Sequence, residues 1–117
     1  MIYTSYFSSK KYKPEEGVSI ARWCKFWTGL RFEALAPSTE LISWWKSLSP
    51  EAQETTAAKQ HYTSLYRAQL YKLNPAEVAT ILEGKTLLCF EKTEDFCHRH
   101  IVAQWLRDAG FECEEIL

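Results

Sequence analysis

Thr86-Leu87-Leu88-Cys89-Phe90 reads as a continuous apolar run, and no other feature of the chain constrains its fold as much. A strand with one wet face alternates apolar and polar residues. An unbroken run is expected of a strand covered on both faces, which is the habit of parallel sheets. Glu91, a short polar loop and then Cys97-His98-Arg99 follow directly, at the head of an apolar-striped segment that stops at Gly110. The spacing predicts a strand over Lys85 to Glu91 and a helix from about Cys97 to Ala109.

The rest of the chain fits this unit. Ile2-Tyr3-Thr4-Ser5-Tyr6-Phe7 is β-branched and aromatic and reads as a first strand, followed by a polar loop from Ser8 to Gly17. Val18-Ser19-Ile20-Ala21-Arg22 reads as a second. Trp23 to Ala36 is aromatic and reads as a packed loop or short strand. Ser38 is a plausible N-cap for a helix carrying Leu41, Ile42, Trp45 and Leu48. Ser49-Pro50 opens another, with an apolar face of Ala58, Tyr62, Leu65, Tyr66, Gln69 and Leu73. Asn74-Pro75-Ala76-Glu77 opens a third, which buries Val78, Ile81 and Leu82 before Gly84. Phe111 to Ile116 reads as a closing strand. This order of elements suggests a small α/β domain with a mainly parallel sheet.

Composition sets limits on partners. A chain of 117 residues is enough for one domain over 1–117, and 46% hydrophobic residues supply its core. A net charge of −1 gives no global case for nucleic acid or membrane. Residues 1–31 are nonetheless basic, at +4, and Glu112, Glu114 and Glu115 crowd the other end. No apolar run approaches the roughly 18 residues of a membrane span, and no secretory signal is visible. Cys24, Cys89, Cys97 and Cys113 lie far apart, and reduced thiols in the cytoplasm are the default expectation.

In parallel sheets, ligands sit beyond the carboxyl ends of the strands. Three segments deliver residues there: Ser5 and Tyr6, Arg22, and Glu91 through Arg99. At about 100° per residue, His98 shares the inner helix face with Ile101, Val102, Trp105 and Leu106, whereas His100 turns out to water. The free amides and dipole of the helix start favour an anion, which Arg99 and Arg22 would help to hold. Cys97, in the first turn beside His98 and Arg99, is expected to be an acidic thiol, serving as nucleophile or redox-sensitive group. His98 would act as acid or base, and Glu91 as base or orienting partner. Cys89, Cys97, His98 and His100 could offer zinc ligands, but the spacing is unlike a paired-cysteine site. The two histidines also diverge by about 160°. No metal and no cofactor is therefore expected. Tyr62 and Tyr66 share a helix face and read as core. Arg22-Trp23-x-Lys25-Phe26-Trp27 interleaves cations with aromatics, as single-strand nucleic-acid binders do, although aromatic loop packing accounts for it too.

The strand Leu87-Leu88-Cys89-Phe90-Glu91 and the helix head Cys97-His98-Arg99 resemble the LLC-x-E and CHR signature of the Domain of Unknown Function 488 family, in the short form met in phages and bacteria. The opening Ile2 to Phe7, the Leu35-Ala36-Pro37-Ser38 turn and the Tyr62-x-x-x-Tyr66 helix are similar to that form as well. The resemblance implies a Rossmann-like α/β domain, here a small three-layer one. Longer members carry Asp-x-Arg on the second strand. Here Ile20 stands in place of the Asp and only Arg22 matches, so any role of that Asp passes to Glu91 or is absent.

These readings converge on a small enzyme or sensor with an anion-binding Cys/His/Arg/Glu pocket, acting on a nucleotide-like or phosphorylated ligand. The alternative is a non-catalytic module that binds nucleic acid or protein through the basic, aromatic N-terminal part. Oligomeric state is not legible from the sequence.

Overall fold

In the computed structural model, which describes residues 1–117, five strands form one sheet in the order β3-β2-β4-β1-β5, and all neighbours pair in parallel. The strands are β1 (Ile2–Tyr6), β2 (Gly17–Ser19), β3 (Leu30–Arg31), β4 (Thr86–Cys89) and β5 (Cys113–Glu115). The helices are α1 (Thr39–Ser47), α2 (Pro50–Gln53), α3 (Thr56–Leu70), α4 (Pro75–Leu82) and α5 (His98–Asp108). The expected α/β class and parallel sheet are both present. Every residue of β4 is buried, as the unbroken apolar run requires.

The connections explain the layers. The steps β3 to β4 and β4 to β5 move the same way across the sheet. Right-handed crossovers therefore put their helices on one face. There α5 lies over β1 and β4 with α3 packed on it, and Leu87, Val18, Ile2 and Ile20 point into that core. The steps β1 to β2 and β2 to β3 move the opposite way, through loops without α-helix, and cover the second face. Alternate residues of β4 show the division. Leu88 and Trp27 both reach Gly17 on the loop side, and Phe90 beyond it packs on Phe7 and Phe26 with ring centroids 5.2 and 5.9 Å away. The three layers are thus helices, sheet and aromatic loops.

Helices start and stop as expected where caps are explicit. Ser38 accepts from the Leu41 amide, Ser49 from Ala52 and Asn74 from Ala76 and Glu77. Gly84 and Gly110 take φ of +78° and +91° to end α4 and α5. Other expectations need correction. The second strand stops at Ser19 instead of Arg22, because its pairing with β4 covers Gly17 to Ser19 and its pairing with β3 covers Val18 and Ser19, and neither register runs past Ser19. The helix opened by Ser49 breaks after Gln53, and Thr55 caps a new one through the Ala58 amide. Leu65 and Ile81, expected in the core, are exposed, with Leu70 and Ala79 buried instead.

Gly17 has no room for a side chain. A Cβ there would stand 2.8 Å from Leu88 Cδ1 and 2.9 Å from Trp27 Cη2. Gly17→Ala must displace both Leu88 Cδ1 and the edge of the Trp27 ring, at an expected cost of about 1–3 kcal/mol. Thermal unfolding and the near-ultraviolet tryptophan dichroism measure it. An unchanged tryptophan signal would contradict the packing described.

Candidate functional site

The chain leaves β2 toward β3 and leaves β4 toward β5, so adjacent strands send their connections in opposite directions and to opposite faces. That is the topological switch point at which parallel sheets open a crevice. A cavity of about 190 Å³ lies there. The ends of β2 and β4 supply Ala21, Arg22, Cys89, Phe90 and Glu91, and the start of α5 supplies Cys97 and His98. The stripe of α1 completes it with Ile42, Trp45 and Lys46.

One wall is aromatic. Trp45, Tyr62 and Phe96 form a mutual cluster with centroid separations of 5.2–5.5 Å. Burial first, and the Glu91 carboxylate second, hold the Tyr62 phenol well above its usual pKa, so it stays a neutral hydroxyl. The opposite rim is cationic. Arg22 donates from Nε to the Pro37 carbonyl at 3.0 Å and from Nη2 to that of Ala36 at 3.2 Å, which leaves Nη1 uncommitted. Lys46 stands over the exposed Trp23 ring, 5.3 Å from its centroid. Neither cation has a carboxylate partner.

The floor is the cysteine and histidine corner. Cys97 is the N-cap of α5, and its side chain bonds no helix amide. Its sulfur meets that of Cys89 as a disulfide pair, with Cα atoms 7.6 Å apart. Cys24 and Cys113 are free. This corrects the expectation of four separate thiols, since the eight-residue loop folds back and brings the end of β4 against the start of α5. His98 Nε2 lies 2.8 Å from the Ile20 carbonyl. A carbonyl only accepts, so Nε2 carries the hydrogen and Nδ1 presents a lone pair, 3.7 Å from the Cys97 sulfur. Burial pushes the His98 pKa down to about 4. The Ile20 carbonyl opposes that shift, while the charges of Arg99 and His100 add to it. The ring is therefore neutral near pH 7.

Arg99 is fully buried and does not face the cavity. Its Nε and Nη2 clamp the two Glu115 oxygens at 3.0 and 2.8 Å, and Nη1 donates to Cys89 Sγ at 3.0 Å and to the Glu91 carbonyl at 2.6 Å. Thr4 and Thr93 donate to the same carboxylate at 2.6 and 2.7 Å. Burial alone would raise the Glu115 pKa. The bonds from Arg99, Thr4 and Thr93 and the charge of Arg99 outweigh it and hold the acid below its ordinary value.

Cys97, His98, Glu91 and Arg22 are thus brought together at one cavity, and three expected ligand residues are not. Arg99 is spent on Glu115. Tyr6 lies against the Arg99 guanidinium, 5.9 Å from its centroid to the cation carbon. Ser5 is enclosed, its hydroxyl without a partner, on the side of β1 away from Thr4. His98 faces inward as its helical phase requires, but His100 is half-buried with Nδ1 4.0 Å from Glu115 instead of in open water. Sequence reasoning missed Glu115 and Lys46. Both were findable: Glu115 is two residues from buried Cys113 on a strand, and Lys46 is one helical turn after Ile42.

A family model described as the Active DUF488-N3 subclade, DUF488-N3a, matches residues 8–110. No curated protein matches the chain, and no solved structure does. No helix is long and apolar enough to cross a membrane.

Proposed function

The chain belongs to the DUF488 family, in the N3 subclade described as active, and from that membership and the cavity we propose a small-molecule site for a nucleotide-like or phosphorylated anion, in a small enzyme. The pairing of an aromatic wall with two cations that lack carboxylate partners carries the reading. Trp45, Phe96 and Tyr62 offer flat apolar area to a planar ring, and Arg22 and Lys46 offer charge to a phosphate at the rim. About 190 Å³ is below the 300–1,000 Å³ of drug-sized pockets, which favours a single base or sugar phosphate with its charged end at the mouth. Glu91 and the Cys97–His98 corner line the same space and would supply its reactive groups. We place the protein in the cytoplasm, where the Cys89–Cys97 pair is held in its dithiol form.

Nucleoside monophosphates and inorganic phosphate at millimolar concentration are expected to raise the melting temperature, because a ligand bound only to the folded state stabilises by mass action, about 2.7 kcal/mol at a hundredfold excess over Kd. Lys46→Gln, at an exposed position over the exposed Trp23 ring, is expected to remove most of the shift while the unliganded melting point holds. No shift in the wild type, or an unaltered one in the variant, would refute the anion site. A second reading has its own observation. Trp23 and Phe26 are more than half exposed, at 55% and 63%, with Lys25 between them, an arrangement suited to stacking unpaired bases. A salt-dependent shift with an oligonucleotide alone, and none with mononucleotides, would favour it.

A further inference from the structure

We propose that in the dithiol form of the protein Cys89, Cys97 and His98 together hold a thiophilic divalent cation, zinc being the best match, with its fourth position open to the cavity. Cys89 closes β4, Cys97 caps α5 and His98 begins it, and their three ligand atoms lie within 4.8 Å of one another. A tetrahedral zinc with bonds of about 2.3 Å to sulfur and 2.0–2.1 Å to nitrogen sets its ligands about 3.5–3.8 Å apart. The Cys97 sulfur and His98 Nδ1 stand at 3.7 Å. The Cα atoms of the cysteines are 7.6 Å apart, wider than the 4.4–6.8 Å that disulfides usually span. The reduced sulfurs can therefore take the wider spacing an ion needs from the backbone positions they already have.

The surroundings match a metal site in two further ways. His98 gives its Nε2 hydrogen to the Ile20 carbonyl, as metal-bound histidines commonly do, and this fixes the ring with Nδ1 facing the sulfurs. Arg99 donates to Cys89 Sγ at 3.0 Å, and its charge is already met by Glu115. Two thiolates then balance one divalent ion, and the two displaced thiol protons pass to solvent. Two cysteines, one histidine and an open position form a ligand set used by catalytic zinc. All three residues line the cavity, so the fourth position falls where a substrate atom or water would stand. The site differs from the one sequence spacing brings to mind. His100 takes no part, while Cys89, Cys97 and His98, already in that set, converge.

The test uses the full chain reduced with a phosphine and needs no substrate, so it is independent of the anion reading. Zinc titrated against a chromophoric chelator is expected to bind at one equivalent. Cobalt(II) is expected to give a thiolate-to-metal charge-transfer band. Cys97→Ser, Cys89→Ser and His98→Gln are each expected to weaken binding about 100-fold or more, beyond the 10–100-fold cost of losing an outer partner. Cys24→Ser is expected to leave it unchanged. In wild type, zinc is expected to slow alkylation of Cys89 and Cys97 at least tenfold without protecting Cys24 or Cys113, a result that does not depend on a variant folding. Absence of the cobalt band, equal protection of all four thiols, or binding that survives Cys97→Ser would each overturn the proposal.

Discussion

Glu115→Ala is expected to lower the unfolding free energy by about 3–5 kcal/mol, because it leaves the wholly buried Arg99 guanidinium without its counter-charge. The loss is large against the 5–15 kcal/mol that typically holds a domain together, and the melting temperature is expected to fall by roughly 10 °C or more. Urea unfolding measures it. The companion Arg99→Met with Glu115→Leu is expected to recover much of the loss, since an apolar pair of similar volume needs no desolvated charge. A single variant that unfolds like wild type would remove the ion pair as the tie between α5 and β5. The pH dependence has a definite sign. Glu115 has a folded pKa below its unfolded one, so its stabilising contribution is complete above about pH 4.3. It is lost as pH falls through the lower folded value. The difference between wild type and Glu115→Gln is therefore expected to shrink in strong acid.

Tyr66→Ala is expected to cost about 3–5 kcal/mol, the usual range for emptying an aromatic site in a core. Tyr66 is fully buried and donates its hydroxyl to the Leu35 carbonyl. Its ring meets the His98 imidazole edge to face at 5.5 Å. Burial keeps the phenol neutral by raising its pKa well above the ordinary value, and neighbouring Tyr62 adds to that. Tyr66→Phe separates the two contributions. It keeps the ring and strands one buried carbonyl, for about 1–3 kcal/mol. The alanine variant also frees His98 on one side, so the His98 ring resonances are expected to shift in Tyr66→Ala and stay close to wild type in Tyr66→Phe. Equal destabilisation by both changes would mean that the hydrogen bond, not the ring, dominates.

Two kinds of residue separate in this molecule. Arg99 and Glu115 are 16 positions apart, and sequence alone presented one as an anion ligand and the other as part of an acidic surface run. A guanidinium is equally suited to a phosphate and to a buried carboxylate. Which it meets depends on whether β5 returns beside β1, a long-range fact. Cys89 shows the same limit. Its place in an apolar strand points to core, and its spacing from Cys97 is unlike a paired-cysteine site; only the fold of the loop from Glu91 to Phe96 brings it to Cys97 and His98.

Short-range physics was legible from the chain itself. Caps at Ser38, Ser49 and Asn74, stops at Gly84 and Gly110, the covered strand at Thr86 to Cys89 and the inward turn of His98 all follow from neighbouring residues acting through one or two turns of backbone. Parallel pairing followed as well, because an unbroken apolar strand must be covered twice. The tertiary structure alone decided which face each loop covers, which charges cancel in the interior, and which cations are left to face the cavity. Those outcomes depend on distances between segments far apart in the chain, and no local periodicity encodes them.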